Sequence, residues 1–473
     1  MEKITENIVQ NAATIRKIHI LEALNESDRI IPSEELAGQL QCTSRTIKND
    51  ISQIKQKLPR NWRVLGVSSR GYVLEKKPED KISHAIAPYL KQSEIYKIIR
   101  GIYDYKRYTL VKWAQLLYVD QLSLKKMLTE FTKTLNYFEL NFNFKTLQLV
   151  GEELNIRYFY IVLFYTMQKY KKIINPHPHL HKKIERIIEF YGVEIDLNVL
   201  TIIISVFIKR TMNKCFLTKR INGNITFNSN KLRCVESIVL EIEKAYNVKF
   251  HQNEKQFLFQ SVFLISEGDI KEKENITNYY CQSHKNMYNK YLSLLEAISC
   301  IFKLDSTIKE GLQHDLYFQL CKIRTLKNHN LSTKHLLDQY KNLYKNNSEL
   351  IEVYSVIAPL VNSCNKKLGE NKLTEDELYY ITFNMACNIH LNAKKKTALL
   401  LLSGPAAWKK IIYSKLNNEL GSIINLEIGS ADKVEVIITN YNITDVPTPV
   451  IQVSDKMTRK DVDNIKKFLR VTG

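Results

Sequence analysis

Four apolar residues at helical spacing, Ile47, Ile51, Ile54 and Leu58, constrain this chain more than any other feature. They give the segment from Thr43 to Leu58 one apolar stripe, which predicts a helix with a single buried face. Thr43 or Ser44 can cap its first turn through a hydroxyl. The opposite face offers Ser44, Arg45, Thr46, Lys48, Asn49, Ser52 and Gln53. Side chains of those types reach base edges and phosphates in a major groove.

The flanking sequence fits the same reading. Ile15 to Leu24 predicts a preceding amphipathic helix, and Ser33 to Leu40 a short one after Pro32. The link Gln41-Cys42-Thr43 is short enough for the turn of a helix-turn-helix. Two short β-prone runs, Trp62 to Val67 and Tyr72 to Glu75, surround a Ser/Arg/Gly tip containing Arg70 and predict a wing. From Arg45 to Lys77 there are nine basic residues against Asp50 and Glu75, a net of +7. A plain helical bundle with a solvated basic face would share that charge but not the order of helix, turn, helix and wing.

At 473 residues the chain exceeds one core, and length suggests about three to five domains. The excess of 69 Lys and Arg over 49 Asp and Glu, net +20, favours a polyanionic partner without separating DNA from RNA or a membrane surface. Eight scattered cysteines without CxxC pairs suit reduced thiols better than a disulfide framework. The N-terminus carries no apolar signal region, and the most apolar run, Leu197 to Ile208, is too short to span a bilayer. A cytoplasmic protein with no membrane partner is expected.

Lys81 to Tyr108 reads as a helical connector. A second helix-turn-helix follows, with helices Leu110 to Leu117 and Ser123 to Leu135, and with Phe144 to Glu153 as a wing-like β segment. Its outer face, Ser123, Lys125 and Lys126, fits a spacer touching only phosphates as well as it fits direct readout. From Asn155 to His390 the pattern is helical and repeats internally. Arg210 to Met212 matches Arg324 to Leu326, Val235 to Val239 matches Val353 to Ile357, and Glu254 to Ser261 matches Glu377 to Asn384, in that order. After Lys396 the period changes. Apolar runs Ala398 to Leu402, Ile423 to Ile428, Val434 to Thr439 and Val450 to Val453 alternate with amphipathic stretches Trp408 to Leu420 and Arg459 to Leu469, predicting a small parallel α/β sheet.

This order resembles the Mga/AtxA-type virulence regulators, particularly their capsule-gene activators. The residues carrying it are Ser44 to Asp50, the junction Leu149 to Glu153, and the paired strands Val434 to Thr439 and Val450 to Ser454. The resemblance implies a mostly α, multidomain chain. Its parts would be winged helix-turn-helix domains over 1–80 and 81–154, helical bundles of the PTS regulation domain (PRD) type over 155–280 and 281–394, and a IIB-like α/β domain over 395–473. It implies an activator that binds promoter DNA as a homodimer through the C-terminal domain, with RNA polymerase as a further candidate partner and no cofactor. An antiterminator binding RNA is the alternative, but that group begins with a small β domain.

The resemblance also implies phosphorylatable histidines, and here the chain departs. Asn198, Ser261 and Asn384 stand at the expected positions. His314 is a candidate substitute site, beside the blander reading of a satisfied histidine. The loop where a IIB enzyme carries its nucleophilic Cys reads Ser403 to Trp408 and has none. His177, His179 and His181 alternate beside Pro178 and read as a loop rather than a metal site. No nucleophile and base stand at a recognisable spacing, so no enzyme activity is expected.

Overall fold

The structure is a computed structural model; it describes residues 3–170, 178–221, 229–333, 347–392, 395–421, 424–429, 434–444 and 446–471. Helices dominate, as the patterning requires. Two compact units are present, one built from residues 1–285, 314–344 and 371–381, the other from 286–313, 345–370 and 382–473.

The first unit opens with α1 (Lys3–Val9), α2 (Ala12–Glu26), α3 (Ser33–Gln39) and α4 (Ser44–Lys57). Ile47, Ile51 and Ile54 are fully buried, while the Asn11 and Thr43 side chains cap α2 and α4. Strands β1 (Arg63–Val67) and β2 (Gly71–Glu75) pair antiparallel, Val64 opposite Leu74, and form the expected wing. Ile31 adds an isolated antiparallel bridge to β2, exchanging two 2.9 Å backbone hydrogen bonds with Tyr72. Gly71 lies at φ +127°, and a Cβ there would sit 2.1 Å from the Ile31 carbonyl oxygen, so the wing closes only on glycine. Trp62 is buried at the wing base and donates its indole N–H to Asp80.

The connector resolves into α5 (Ser83–Gln92) and α6 (Glu94–Tyr103), the latter a steeply amphipathic helix that buries Ile95, Ile98, Ile99 and Ile102. The second winged helix consists of α7 (Leu110–Leu117), α8 (Gln121–Asn136), β3 (Asn141–Asn143) and β4 (Gln148–Val150). Its wing corrects the sequence expectation. Phe144 to Leu147 form the turn, the first strand precedes them, and Glu153 already belongs to the next helix. Three-residue strands are too short to show alternation, and Leu147, apolar and fully buried in a turn, mimics a strand residue.

One core runs through both winged helices into α9 (Glu153–Met167). A second is built by α10 (Pro178–Tyr191), α11 (Leu197–Met212), α12 (Ser229–Tyr246) and α13 (Gln252–Ile265). The apolar run at Leu197 is thus a buried helix. Arg157, wholly buried, is held by Glu153 and by both oxygens of Glu254, and Glu254 also accepts the Leu217 N–H. The helices α14 (Ile270–Ser283), α15 (Lys285–Phe302), α16 (Ser306–Asn328), α17 (Ser348–Lys366) and α18 (Glu375–Asn392) follow. Glu377, the repeat counterpart of Glu254, is equally buried at 1% exposure and accepts from Lys327, Thr333 and the Thr374 N–H. The matched positions thus share a role, each a buried carboxylate in the first turn of its helix.

The second unit contains the C-terminal sheet, with strands β5 (Lys396–Leu401), β6 (Ile424–Ile428), β7 (Val436–Thr439) and β8 (Val450–Gln452). All pairings are parallel, in the order β6-β5-β7-β8. Helices α19 (Ala406–Leu420) and α20 (Arg459–Val471) pack their apolar faces on it. Among the described residues, no helix is long and apolar enough to cross a membrane.

Candidate nucleic-acid interface

Helix α4 turns Arg45, Lys48, Asn49, Ser52 and Gln53 to solvent, while Ser44 and Thr46 are half-buried. Thr46 is committed locally: its N–H and hydroxyl both meet the Thr43 hydroxyl in the N-terminal cap. It therefore belongs to the helix start rather than to the open face. Asp50, counted against the basic charge in the sequence, is 4% exposed and paired with the Arg16 guanidinium on α2. The hydrogen bond that Arg16 donates to Asp50 raises the Arg16 pKa above its ordinary value. The pair fixes α4 to α2 and takes the one acid of α4 off the outer face. Nothing local in the sequence marks it, because the partners are separated by a whole helix and a turn.

Arg70 is exposed at the wing tip, beside Ser69 at φ 57°, with Arg63 exposed on β1. Lys76 instead donates to the Asp80 carbonyl and lies over the Trp62 ring, so it braces the wing base. Cations on an exposed helix face and at a wing tip can follow a phosphate backbone while polar side chains enter a groove.

The second winged helix repeats the first at a constant offset of 77 residues. Helices start at Ser33 and Leu110, left-handed residues stand at Gln41 (φ 51°) and Tyr118 (φ 55°), and side-chain caps at Thr43 and Asp120. The turn hydrogen bonds match too: Cys42 N–H to Ala37 O at 3.0 Å, and Val119 N–H to Ala114 O at 3.0 Å. Buried Ile47, Ile51 and Ile54 correspond to buried Leu124, Leu128 and Phe131. In this register Lys48 becomes Lys125 and Asn49 becomes Lys126, both exposed, as is Ser123.

The expected regulatory positions scatter. Asn198 is exposed in the first turn of α11, its N–H donated to Asp196; Ser261 is buried within α13; Asn384 is half-buried in α18. His314 Nδ1 lies 2.9 Å from the Thr277 hydroxyl. In the C-terminal sheet, the Ser403 N–H is donated to the Asn440 side chain, whose amide returns hydrogen bonds to the Ser403 carbonyl and to Asp455. The start of the loop after β5 is thus tied to the loops that follow β7 and β8. His179 and His181, expected in a loop, stand instead in the first turn of α10, and His177 lies outside the described residues; among those, no three His, Cys, Asp or Glu side chains converge as a metal site.

Comparison with known proteins agrees with this geometry. Residues 16–73 match a helix-turn-helix domain and residues 79–164 match the Mga helix-turn-helix domain. The chain thus carries two helix-turn-helix domains, the second of the Mga kind, and is similar to regulators of the Mga/AtxA type. Over 96% of its length it is 23% identical to the "anthrax toxin expression trans-acting positive regulator" of Bacillus anthracis, covering 98% of that protein. With the same coverage it is 23% and 22% identical to two further Bacillus anthracis proteins, the capsule synthesis positive regulators AcpA and AcpB.

Proposed function

We propose that the chain is a DNA-binding transcriptional activator of virulence genes, of the capsule-biosynthesis kind, acting as a dimer under PRD-type helical domains. The observation that carries this reading is the exposed polar and cationic face of α4, held rigidly by the Arg16–Asp50 pair. Arg45 is the base reader, with Lys48 and Asn49 beside it; Arg70 reaches backbone or minor groove, and Lys125 and Lys126 hold phosphate. The five domains are taken as 1–80, 81–154, 155–280, 281–394 and 395–473. The last supplies the dimer contact, for which exposed Ile411 and Ile428 offer apolar surface. RNA polymerase is the protein that a DNA-bound activator of this kind engages.

Asn198, Ser261 and Asn384 have no imidazole to phosphorylate, so phosphotransferase proteins leave these helices in one charge state. Gel shifts with promoter DNA and with hairpin RNA test the central reading. Binding restricted to DNA supports it; preference for RNA would replace it with the antiterminator reading.

A further inference from the structure

The 77-residue register places Leu122 where the first winged helix carries Arg45: each is the second residue of its helix, two after the cap. Leu122 is 77% exposed, although its neighbour Leu124 is completely buried. A single exposed leucine is ordinary on a protein surface; what singles this one out is its place at the leading end of the helix, in register with Arg45. One turn on, at the third and fourth residues after it, stand exposed Lys125 and Lys126, so a polyanion with an apolar group at its centre is the partner that suits this face. A DNA major groove has that composition at one base only, since thymine alone presents a methyl group between the phosphate rows.

We infer that the second winged helix reads thymine, with Leu122 packed on the C5-methyl and Lys125 and Lys126 on flanking phosphates. One chain then carries two readers of different chemistry on one scaffold: Arg45 donates hydrogen bonds to base edges, and Leu122 takes up a methyl. The operator is bipartite, with a hydrogen-bond-specified segment and a thymine-specified one. This rests on the DNA-binding reading above.

The test uses the full-length protein and duplexes it selects from a random library. Thymines are then replaced by deoxyuridine, one segment at a time, which removes the methyl and keeps the pairing. Wild-type protein should lose about three- to fivefold in affinity on replacement in one segment, the worth of burying about one methyl group. Leu122→Ala should show that loss on the thymine duplex already, with no further loss on deoxyuridine. Leu122→Arg should move the preference of that segment towards guanine. The inference is overturned if Leu122→Ala keeps the full methyl dependence, or if Leu122→Ala binds DNA normally but fails to activate transcription, which would assign the leucine to a protein partner. A protein that selects no DNA at all would overturn the DNA-binding reading itself, and this with it; binding without methyl dependence overturns this inference alone.

Discussion

The two winged helices share a backbone plan and differ in what fastens each helix and what it shows. At one register position the first copy has Asp50, ion-paired to Arg16, and the second has Met127, whose carbonyl accepts the Gln10 amide at 3.0 Å. The residue that leads each exposed face is Arg45 in one and Leu122 in the other. The buried positions of α4 and α8 differ only among Ile, Leu and Phe, whereas on the exposed face Lys48 keeps its class as Lys125 and Arg45 changes class to Leu122. A scaffold of this kind fixes where side chains stand and leaves their chemistry open.

The largest test of this contrast is at the fastening. Asp50→Ala removes a charge-assisted hydrogen bond from a partly exposed guanidinium and should cost about 2–3 kcal/mol of stability. Met127→Ala removes no charge and leaves the Gln10 contact, which uses backbone; about 1 kcal/mol is expected at this half-buried position. Denaturant midpoints of the two variants measure both. Equal losses would mean that the copies are fastened alike.

Doubling the readers comes next. If the α/β domain joins two chains, deletion from Lys396 onward should weaken binding to a two-half-site duplex by about 100-fold, because linkage is lost. Sedimentation of the shortened chain checks it. A shortened protein that stays dimeric would place the contact elsewhere.

Arg45→Ala should then cost about 1–3 kcal/mol in binding if the guanidinium spans a guanine edge, and should relax preference at that base. Lys48→Ala should weaken all sequences alike and lower the salt slope. Affinity for selected and scrambled duplexes over a salt series separates the two. An Arg45→Ala protein with unchanged affinity for both would remove α4 from the groove.

What the sequence made legible follows the range of the interactions. The stripe Ile47, Ile51, Ile54 and the cap Thr43 are local, and the helix they predict begins within a residue of the observed one. The same holds for Leu110 to Leu117; the parallel strands lie within two residues of their apolar runs, central β7 buried along its whole length and edge strand β6 alternating. The Arg16–Asp50 pair is non-local and left no trace. Nor did the 77-residue register, because its shared content is apolar class and backbone geometry, with the left-handed turn carried by Gln41 in one copy and Tyr118 in the other. In the second wing the strands are too short for periodicity to outweigh Phe144 and Leu147 in the turn.

The smallest effect expected concerns how the first copy meets α1. His19 on α2 lies 3.5 Å from Glu22 and 3.0 Å from Glu6 on α1, and Glu22 also accepts from the Tyr170 hydroxyl. Hydrogen bonding to Glu22, then Glu6, raises the imidazole pKa from 6.5 to about 9. Folding therefore favours the protonated ring. The stabilisation is complete below the unfolded value and is lost as pH rises through the folded one. His19→Gln should accordingly be less stable than the wild type at pH 6, and the gap should close by pH 10. In the 77-residue register Tyr96 on α6 takes the place of His19, and burial holds its phenol above the ordinary value. The second copy therefore has no group at that position that loses a positive charge, and alkaline loosening should begin at the first winged helix. Amide exchange at pH 7 and pH 10, corrected for intrinsic rates, reads this: protection should fall in α1 and α2 before α8. A uniform fall across both copies would show that His19 does not act locally.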